Sequence, residues 1–367
     1  MSFMSAVHKP RARRAIRSPH SPIESVSRVF AAPTPDPRRP TPDSMPSLRR
    51  FINQLSEREP IDQVFLVADK QMRANRNGNL YLQLRLTDKT GALTGMLWNA
   101  TDQHFDSVQT GNYLRVQGTS QVHNGQMQII VTRIEPADAR QVDDEDFITV
   151  TAAEIDKLAA RLAEMLRAVK NVHLRNLAEC FLSDDEFMGK FTAAPAGIKN
   201  HHAYRGGLLA HVVSLMDACR AITPLYPDLD GDLLVLGAFL HDAGKIDELT
   251  YDREFGYSDE GQLIGHVVMI ISTLEDKVAE SERLSAEKFP RELLLRLKHL
   301  IVSHHGEYQF GSPKLPMTLE AIALHLLDNL DAKLYSVGQI LKEDVGSDST
   351  WTSYNQALGR KFFKGGK

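Results

Sequence analysis

The sequence predicts a multidomain α+β chain: a small N-terminal β-barrel over about residues 51–140, then an all-helical domain over about 150–340. Three observations carry this. Apolar residues alternate with period two between 60 and 136, and recur at three and four from 151 to about 335. A basic, proline-rich head (1–50) and a short tail (341–367) lie outside both patterns. At roughly 100–200 residues per domain, 367 residues accommodate two folded units and some extra chain.

The head holds ten Lys or Arg against three acidic residues, and nine of the seventeen prolines. Its charge is therefore +7, and the formal −4 of the whole chain leaves −11 for the rest. A run such as Thr34-Pro35-Asp36-Pro37-Arg38-Arg39-Pro40 sustains neither a helix nor a central strand. With so little apolar content, disorder is expected through about Pro46. An Arg-rich, acid-poor head also describes an organellar transit peptide, which the prolines fit poorly. It also describes an extension upstream of a start at Met45, or a basic arm on nucleic acid. No secretory segment is evident, and two cysteines, Cys180 and Cys219, cannot form a disulfide framework. A cytoplasmic protein is expected. No unbroken apolar run approaches the roughly 18 residues that span a bilayer, so no membrane partner is expected.

In the barrel region Leu80, Leu82, Leu84 and Leu86 alternate with Tyr81, Gln83, Arg85 and Thr87. Asp88-Lys89-Thr90-Gly91 turns the chain into a returning strand at 92–98. Leu114 and Val116 alternate with Tyr113, Arg115 and Gln117, and Asn124-Gly125 reads as a hairpin turn. With 61–72 the total is about five short strands, the size of a Greek-key barrel of the OB type. Such barrels bind single strands by stacking bases on aromatics beside basic groups. Tyr81, Arg85, Tyr113 and Arg115 are the candidates, with Lys70, Arg73 and Arg76 on a mobile loop; Trp98 reads more readily as core. Seven basic against six acidic residues leave the module nearly neutral, so charge alone does not mark it as a nucleic-acid binder.

An acidic joint, Asp143-Asp144-Glu145-Asp146, leads to Thr151-Ala152-Ala153-Glu154, a capping box that opens a helix. The apolar stripes that follow, beginning with Ile155, Leu158, Leu162 and Leu166, belong to a core. The histidines are the unusual feature: nine of fourteen fall between 201 and 325. His211 stands on one predicted helix, and His241-Asp242 closes another (233–240) before Gly244. His266 opens a third, His304-His305 ends a fourth (293–303), and Asp328 and Asp331 share a face of the last. A lone histidine on an apolar helix is usually a satisfied core residue. A paired His-Asp in a buried last turn is harder to dismiss, because an unpartnered buried carboxylate is costly. Imidazoles with carboxylates are ligands for first-row divalent metals.

His211, His241-Asp242 and Asp328 resemble the pattern of the HD superfamily of metal-dependent phosphohydrolases, an all-helical fold. The resemblance implies that these residues hold one divalent metal. It also implies that His266, His304 and His305 hold a second, with Asp242 bridging and Asp331 in support. Flanking residues narrow it: His201-His202-Ala203-Tyr204, Ser303-His304-His305-Gly306, Phe310-Gly311-Ser312-Pro313 and Leu327-Asp328-Asn329-Leu330-Asp331 after an OB module resemble the YhaM-type 3′-to-5′ exoribonucleases over roughly 60–340. That resemblance implies two divalent ions (Mn2+ first; Mg2+, Fe2+ or Co2+ as alternatives) and hydrolysis of single-stranded RNA, with single-stranded DNA as a further substrate. Asp242 and Lys245 are then the catalytic candidates, and His202 and Arg205 the phosphate contacts. His299 and His325 read as structural, and 249–257 as a hairpin beside the site. Three rivals stand beside this reading. A cyclic-dinucleotide phosphodiesterase would carry Gly-Tyr-Pro after the paired histidines, where this chain has Phe310-Gly311-Ser312-Pro313. A nucleotide phosphohydrolase would not need the barrel. A non-catalytic nucleic-acid adaptor would usually have lost a ligand. A homo-oligomer is compatible with the sequence, though no residue argues for one.

Overall fold

A computed structural model describes residues 49–123, 125–147, 150–198, 204–251, 256–344 and 349–365. The proline-rich head through Pro46, Asn124 and the candidate His202 lie outside these. Strands β1 (Pro60–Ala74), β2 (Leu80–Asp88), β3 (Gly91–Trp98), β4 (Tyr113–His123) and β5 (Gln126–Pro136) close a barrel in the order β1-β2-β3-β5-β4. All neighbours are antiparallel except β3 and β5. A register shift between Val67 and Asp69 lets the long β1 pair with β4 through its first half and β2 through its second. This is how one strand serves both sides of a closed barrel. Closure leaves no free sheet edge.

Phe65, Val67, Leu82, Leu84, Leu86, Leu114, Val116, Ile129 and Val131 fill the interior. Two expectations are corrected. Leu80 is 41% exposed, because it starts β2 opposite Ala74 at the barrel's rim. Trp98 is not core: Leu93 and Leu97 take the inward positions of β3, so alternation turns Trp98 outward, 45% exposed. The short helix α1 (Asp102–Ser107), capped by Thr101, joins β3 to β4 and was not foreseen.

The helical domain begins with α2 (Ala152–Arg167), whose Thr151–Glu154 capping box forms as its sequence predicts. Helices α3 (Val172–Leu182) and α4 (Asp185–Ala193) follow, each capped by an Asn or Asp side chain. At the centre is α6 (Gly231–Leu240), every residue of which from Leu233 onward is buried. It packs on α5 (Gly207–Ile222), α10 (Arg291–Ser303) and α11 (Leu319–Glu343). Phe239 of α6 meets Phe181 and Phe191 edge-on at centroid distances of 5.7 and 5.3 Å. Among the described residues, 207–225 is the one stretch apolar and long enough to cross a membrane. Nine residues of its α5 portion are buried in this core.

Short elements complete the fold: α7 (Lys245–Glu248), the two-stranded pair β6 (Leu249–Thr250) and β7 (Gly256–Tyr257), α8 (Asp259–Ile264) and α9 (His266–Ser285). One further correction concerns the C-terminus. Helix α11 runs past Tyr335, where the helical pattern is expected to end, to Glu343. Trp351 pairs with Phe363 and Asn355 with Arg360, folding 349–365 into a small hairpin.

Candidate metal centre

Four helix termini deliver the cluster. His211 lies one turn into α5. His241 caps α6, and Asp242 follows in the turn before α7. His266 opens α9, and His304 caps α10 with His305 beside it. The turn after α6 passes so close to α9 that a Cβ on Gly244 would collide with the His266 backbone. Gly306, at φ +78°, lets the chain leave α10 against the face of the His325 ring. Glycine is the residue that meets both demands.

The orientation of the rings is regular. His211 Nδ1 lies 2.9 Å from Asp331 Oδ2, His241 Nδ1 donates to the Ala238 carbonyl at 2.8 Å, and His304 Nδ1 donates to the Ile301 carbonyl at 2.7 Å. His266 Nδ1 lies 2.9 Å from Glu248 Oε1, which also accepts the His266 backbone N–H at 3.0 Å. Each of these four histidines thus anchors Nδ1 and presents Nε2 to a common centre, whereas His305 leaves Nδ1 unpartnered. A metal-ligating imidazole is commonly held in this way.

Asp242 sits at that centre, 3% exposed. Its Oδ2 is 3.4 Å from His241 Nε2 and 3.9 Å from His211 Nε2. Its Oδ1 is 3.3 Å from His266 Nε2 and 3.6 Å from His304 Nε2. Asp328 Oδ1 joins the first group, 3.3 Å from His211 Nε2 and 3.8 Å from His241 Nε2. Donor atoms of His211, His241 and Asp242 lie within 4.8 Å of one another, as do those of His266, His304 and His305. Asp242 Oδ1, His266 Nε2, His304 Nε2 and His305 Nδ1 are buried without a hydrogen-bond partner. Four converging orphaned atoms in a buried site are what a divalent cation would satisfy.

The electrostatics suit such a cation. Burial opposes ionisation of Asp242 and Asp328, but Lys245 and His241 around the first, and His211 beside the second, outweigh it and hold both carboxyls well below the usual range. Burial pushes His304 down, and His305 down to about 4, keeping both rings neutral. Carboxylates and neutral imidazoles are the forms that bind metal. His211 is the exception. Burial would lower it, yet hydrogen bonds with Asp328 and Asp331 raise it to about 9.

Lys245 is not a solvated lysine at a helix end: its Nζ lies 2.6 Å from Asp242 Oδ2 and donates to the Ala196 carbonyl at 2.8 Å. Arg205 is exposed just before α5. His299 accepts the Met317 backbone N–H, and His325 Nδ1 donates to the His304 carbonyl, so both serve the framework. Glu248 is the residue that sequence reasoning missed. It stands in a four-residue helix seven positions after His241, with no periodicity to mark it, and meets His266 only through the fold.

On the barrel the four candidates divide. Tyr81 and Arg85 lie on the outer face of β2, where Tyr81 meets Trp98 with ring centroids 5.1 Å apart and is paired across β1 with Arg73. Arg85 is exposed. On β4, Arg115 is engaged by both carboxylate oxygens of Asp62 at 2.6 and 2.7 Å. The Tyr113 hydroxyl donates to Asp144 at 2.6 Å, and its ring lies on Phe147. Lys70 and Arg73 lie within β1, paired with β2, and not on a loop, and the Lys70 ammonium is held by the carbonyls of Phe105 and Val108.

Comparison with known proteins agrees with this architecture. Residues 66–137 match the family model of an OB-fold nucleic acid binding domain, and 208–333 match that of the HD domain. The chain is 35% identical over 287 residues to the 3′-5′ exoribonuclease YhaM of Bacillus velezensis, covering 77% of this chain and 88% of that protein. It is 33% identical to YhaM of Bacillus subtilis over 285 residues (77% and 88%) and 33% to YhaM of a Geobacillus strain over 310 (83% and 92%). An OB barrel and an HD domain in that order, with relatives matched over most of their length, place the chain in the YhaM family of 3′-5′ exoribonucleases, as a hydrolase acting on phosphodiester bonds.

Proposed function

We propose that the chain holds single-stranded RNA on the outer face of β2 and β3 and trims it from the 3′ end at a centre for two divalent ions. The observation that carries this reading is Asp242, whose two oxygens face two separate histidine groups. His211, His241, Asp242 and Asp328 would hold one ion, and His266, His304 and His305 with the other oxygen of Asp242 the second. Bound ions would supply neutralisation of the phosphodiester charge and a water acidic enough to deprotonate near neutral pH. A donor set dominated by imidazole favours Mn2+, Fe2+ or Co2+ over Mg2+, which prefers oxygen.

The chain's own residues do the rest. Asp331 and Glu248 anchor Nδ1 of His211 and His266, so Nε2 of each is the nitrogen turned to the centre. Lys245 holds Asp242 ionised and lies close enough to offer a proton-bearing ammonium to a phosphate oxygen. Arg205 is exposed and free to approach the scissile phosphate. The Tyr81–Trp98 pair, with Arg73 and Arg85 on the same face, supports base stacking beside phosphate contacts. Buried free cysteines fit a reducing, cytoplasmic setting.

The test incubates full-length protein with 3′- or 5′-labelled single-stranded RNA, single-stranded DNA and cyclic dinucleotides, with Mn2+ or EDTA. Stepwise 3′ shortening that requires the metal is expected. Shortening that survives EDTA, or cleavage of the cyclic dinucleotide alone, would overturn the reading. Asp242→Ala should abolish cleavage while leaving RNA binding within a few-fold.

A further inference from the structure

The last residues of the chain lie beyond the HD match, and their composition is one-sided: 349–367 holds Arg360, Lys361, Lys364 and Lys367 and no acidic residue. Three large aromatic side chains there are exposed, Trp351 by 49%, Tyr354 by 58% and Phe363 by 60%. Trp351 and Phe363 face each other across the hairpin with ring centroids 5.2 Å apart. Arg360 and Lys361, shortly before Phe363 in the chain, are both exposed.

The hairpin is not a loose end. Thr352 is buried, donates its backbone N–H to the Phe362 carbonyl at 2.8 Å and accepts the Phe362 N–H on Oγ1 at 2.9 Å. Asp344, buried at the end of α11, accepts from the Ser353 backbone N–H at 3.1 Å and from Lys364 Nζ at 2.9 Å. That anchor adjoins the barrel: a Cβ on Gly125, in the β4–β5 turn, would stand 2.5 Å from Ser353 Oγ and 3.5 Å from Asp344 Oδ2. The β4–β5 loop is one of the two that line the ligand side of an OB barrel. A pinned hairpin with aromatic rings outward, basic neighbours and no acid, beside that loop, has the chemistry of a single-strand platform.

We propose that the C-terminal hairpin, 349–365, is a second contact for single-stranded RNA, with Trp351 and Phe363 stacking bases and Arg360 and Lys361 meeting phosphates. The proposal rests on the RNA-trimming function proposed above, and its test separates the two. Full-length protein in EDTA is titrated against 5′-fluorescein-labelled 20-nucleotide oligouridine, reading anisotropy. Trp351→Ala with Phe363→Ala should weaken binding about tenfold or more. Trp351→Tyr with Phe363→Tyr, which keeps a stacking ring, should restore most of that loss. Arg360→Gln with Lys361→Gln, both exposed, should flatten the slope of log affinity against log salt by about 1.4. Cleavage of a trinucleotide in Mn2+, which has too few bases to occupy both the centre and a second contact, should be unchanged. Affinity for the 20-mer within twofold of wild type in both the alanine and glutamine pairs would overturn the proposal. So would an alanine pair that changes the sedimenting mass, which would make the hairpin a protein–protein face. If the wild-type protein cleaves no RNA, the trimming function fails, while the 20-mer affinities still decide the hairpin.

Discussion

Glu248→Ala isolates the support of one ligand from the ligand itself. Oε1 of Glu248 accepts two hydrogen bonds from His266, from the backbone N–H at 3.0 Å and from Nδ1 at 2.9 Å. The side chain is buried. Burial alone would raise its carboxyl, but the His266 hydrogen bond outweighs this and holds it below the ordinary glutamate value. Hydrogen bonds to a charged group contribute about 1.5–3 kcal/mol each, and the carboxylate's own desolvation offsets part of that. The net cost of removal is about 2–4 kcal/mol in urea unfolding of the metal-free protein. Freed of its partner, the His266 ring can turn, and Mn2+ affinity at its site should fall about 10- to 100-fold in calorimetric titration. Glu248→Gln keeps an acceptor and should fall between. Because the folded-state value is depressed, the stabilisation is present above the ordinary glutamate pKa and is lost as pH falls through the lower, folded value. Wild type and Glu248→Gln should therefore converge in acid. Unchanged Mn2+ affinity in Glu248→Ala would refute the argument, whatever happened to stability.

Asp331→Asn removes the charge that anchors His211 Nδ1 and should weaken Mn2+ binding about tenfold or more, measured by the same titration. His211 is raised to about 9 in the metal-free protein, so it stabilises that state fully below about pH 6.5 and loses the contribution as pH rises through about 9. Metal must displace that proton, so binding at pH 7.5 should release about one proton per protein, read as a dependence of binding heat on buffer ionisation enthalpy. Trp98→Ala should weaken oligouridine binding about fivefold or more without altering the melting temperature, since the ring lies on the barrel's outer face. Burial pushes Cys219 up to about 12 and Cys180 also upward, so neither thiol should react with a disulfide reagent at pH 8 until the protein is unfolded.

Much of this was legible in the residues because it depends on local periodicity. Alternation along 80–88 can only put Leu82, Leu84 and Leu86 on one side of a strand, and a helix that is apolar all round, such as 233–240, can only be buried. The candidate cluster was legible for a different reason: histidines and aspartates on apolar helices need partners, and the resemblance to the HD pattern picked out which of them. Pairing across distance was not legible. Nothing in the local sequence tells that Glu248 meets His266, that Asp62 pairs with Arg115, or that Leu97 rather than Trp98 points inward. Nor does a basic, aromatic tail announce that Asp344 pins it beside the β4–β5 turn. By itself, then, the sequence determined the two folded units and which residues could hold a metal, because periodicity and burial act within one element. The rings of His241 and His304 are set locally, by carbonyls three residues back. The tertiary structure alone decided the rest: Asp331 and Glu248, 120 and 18 positions away, turn His211 and His266, and separate helices bring the groups that each oxygen of Asp242 faces, because those partners are remote in the chain.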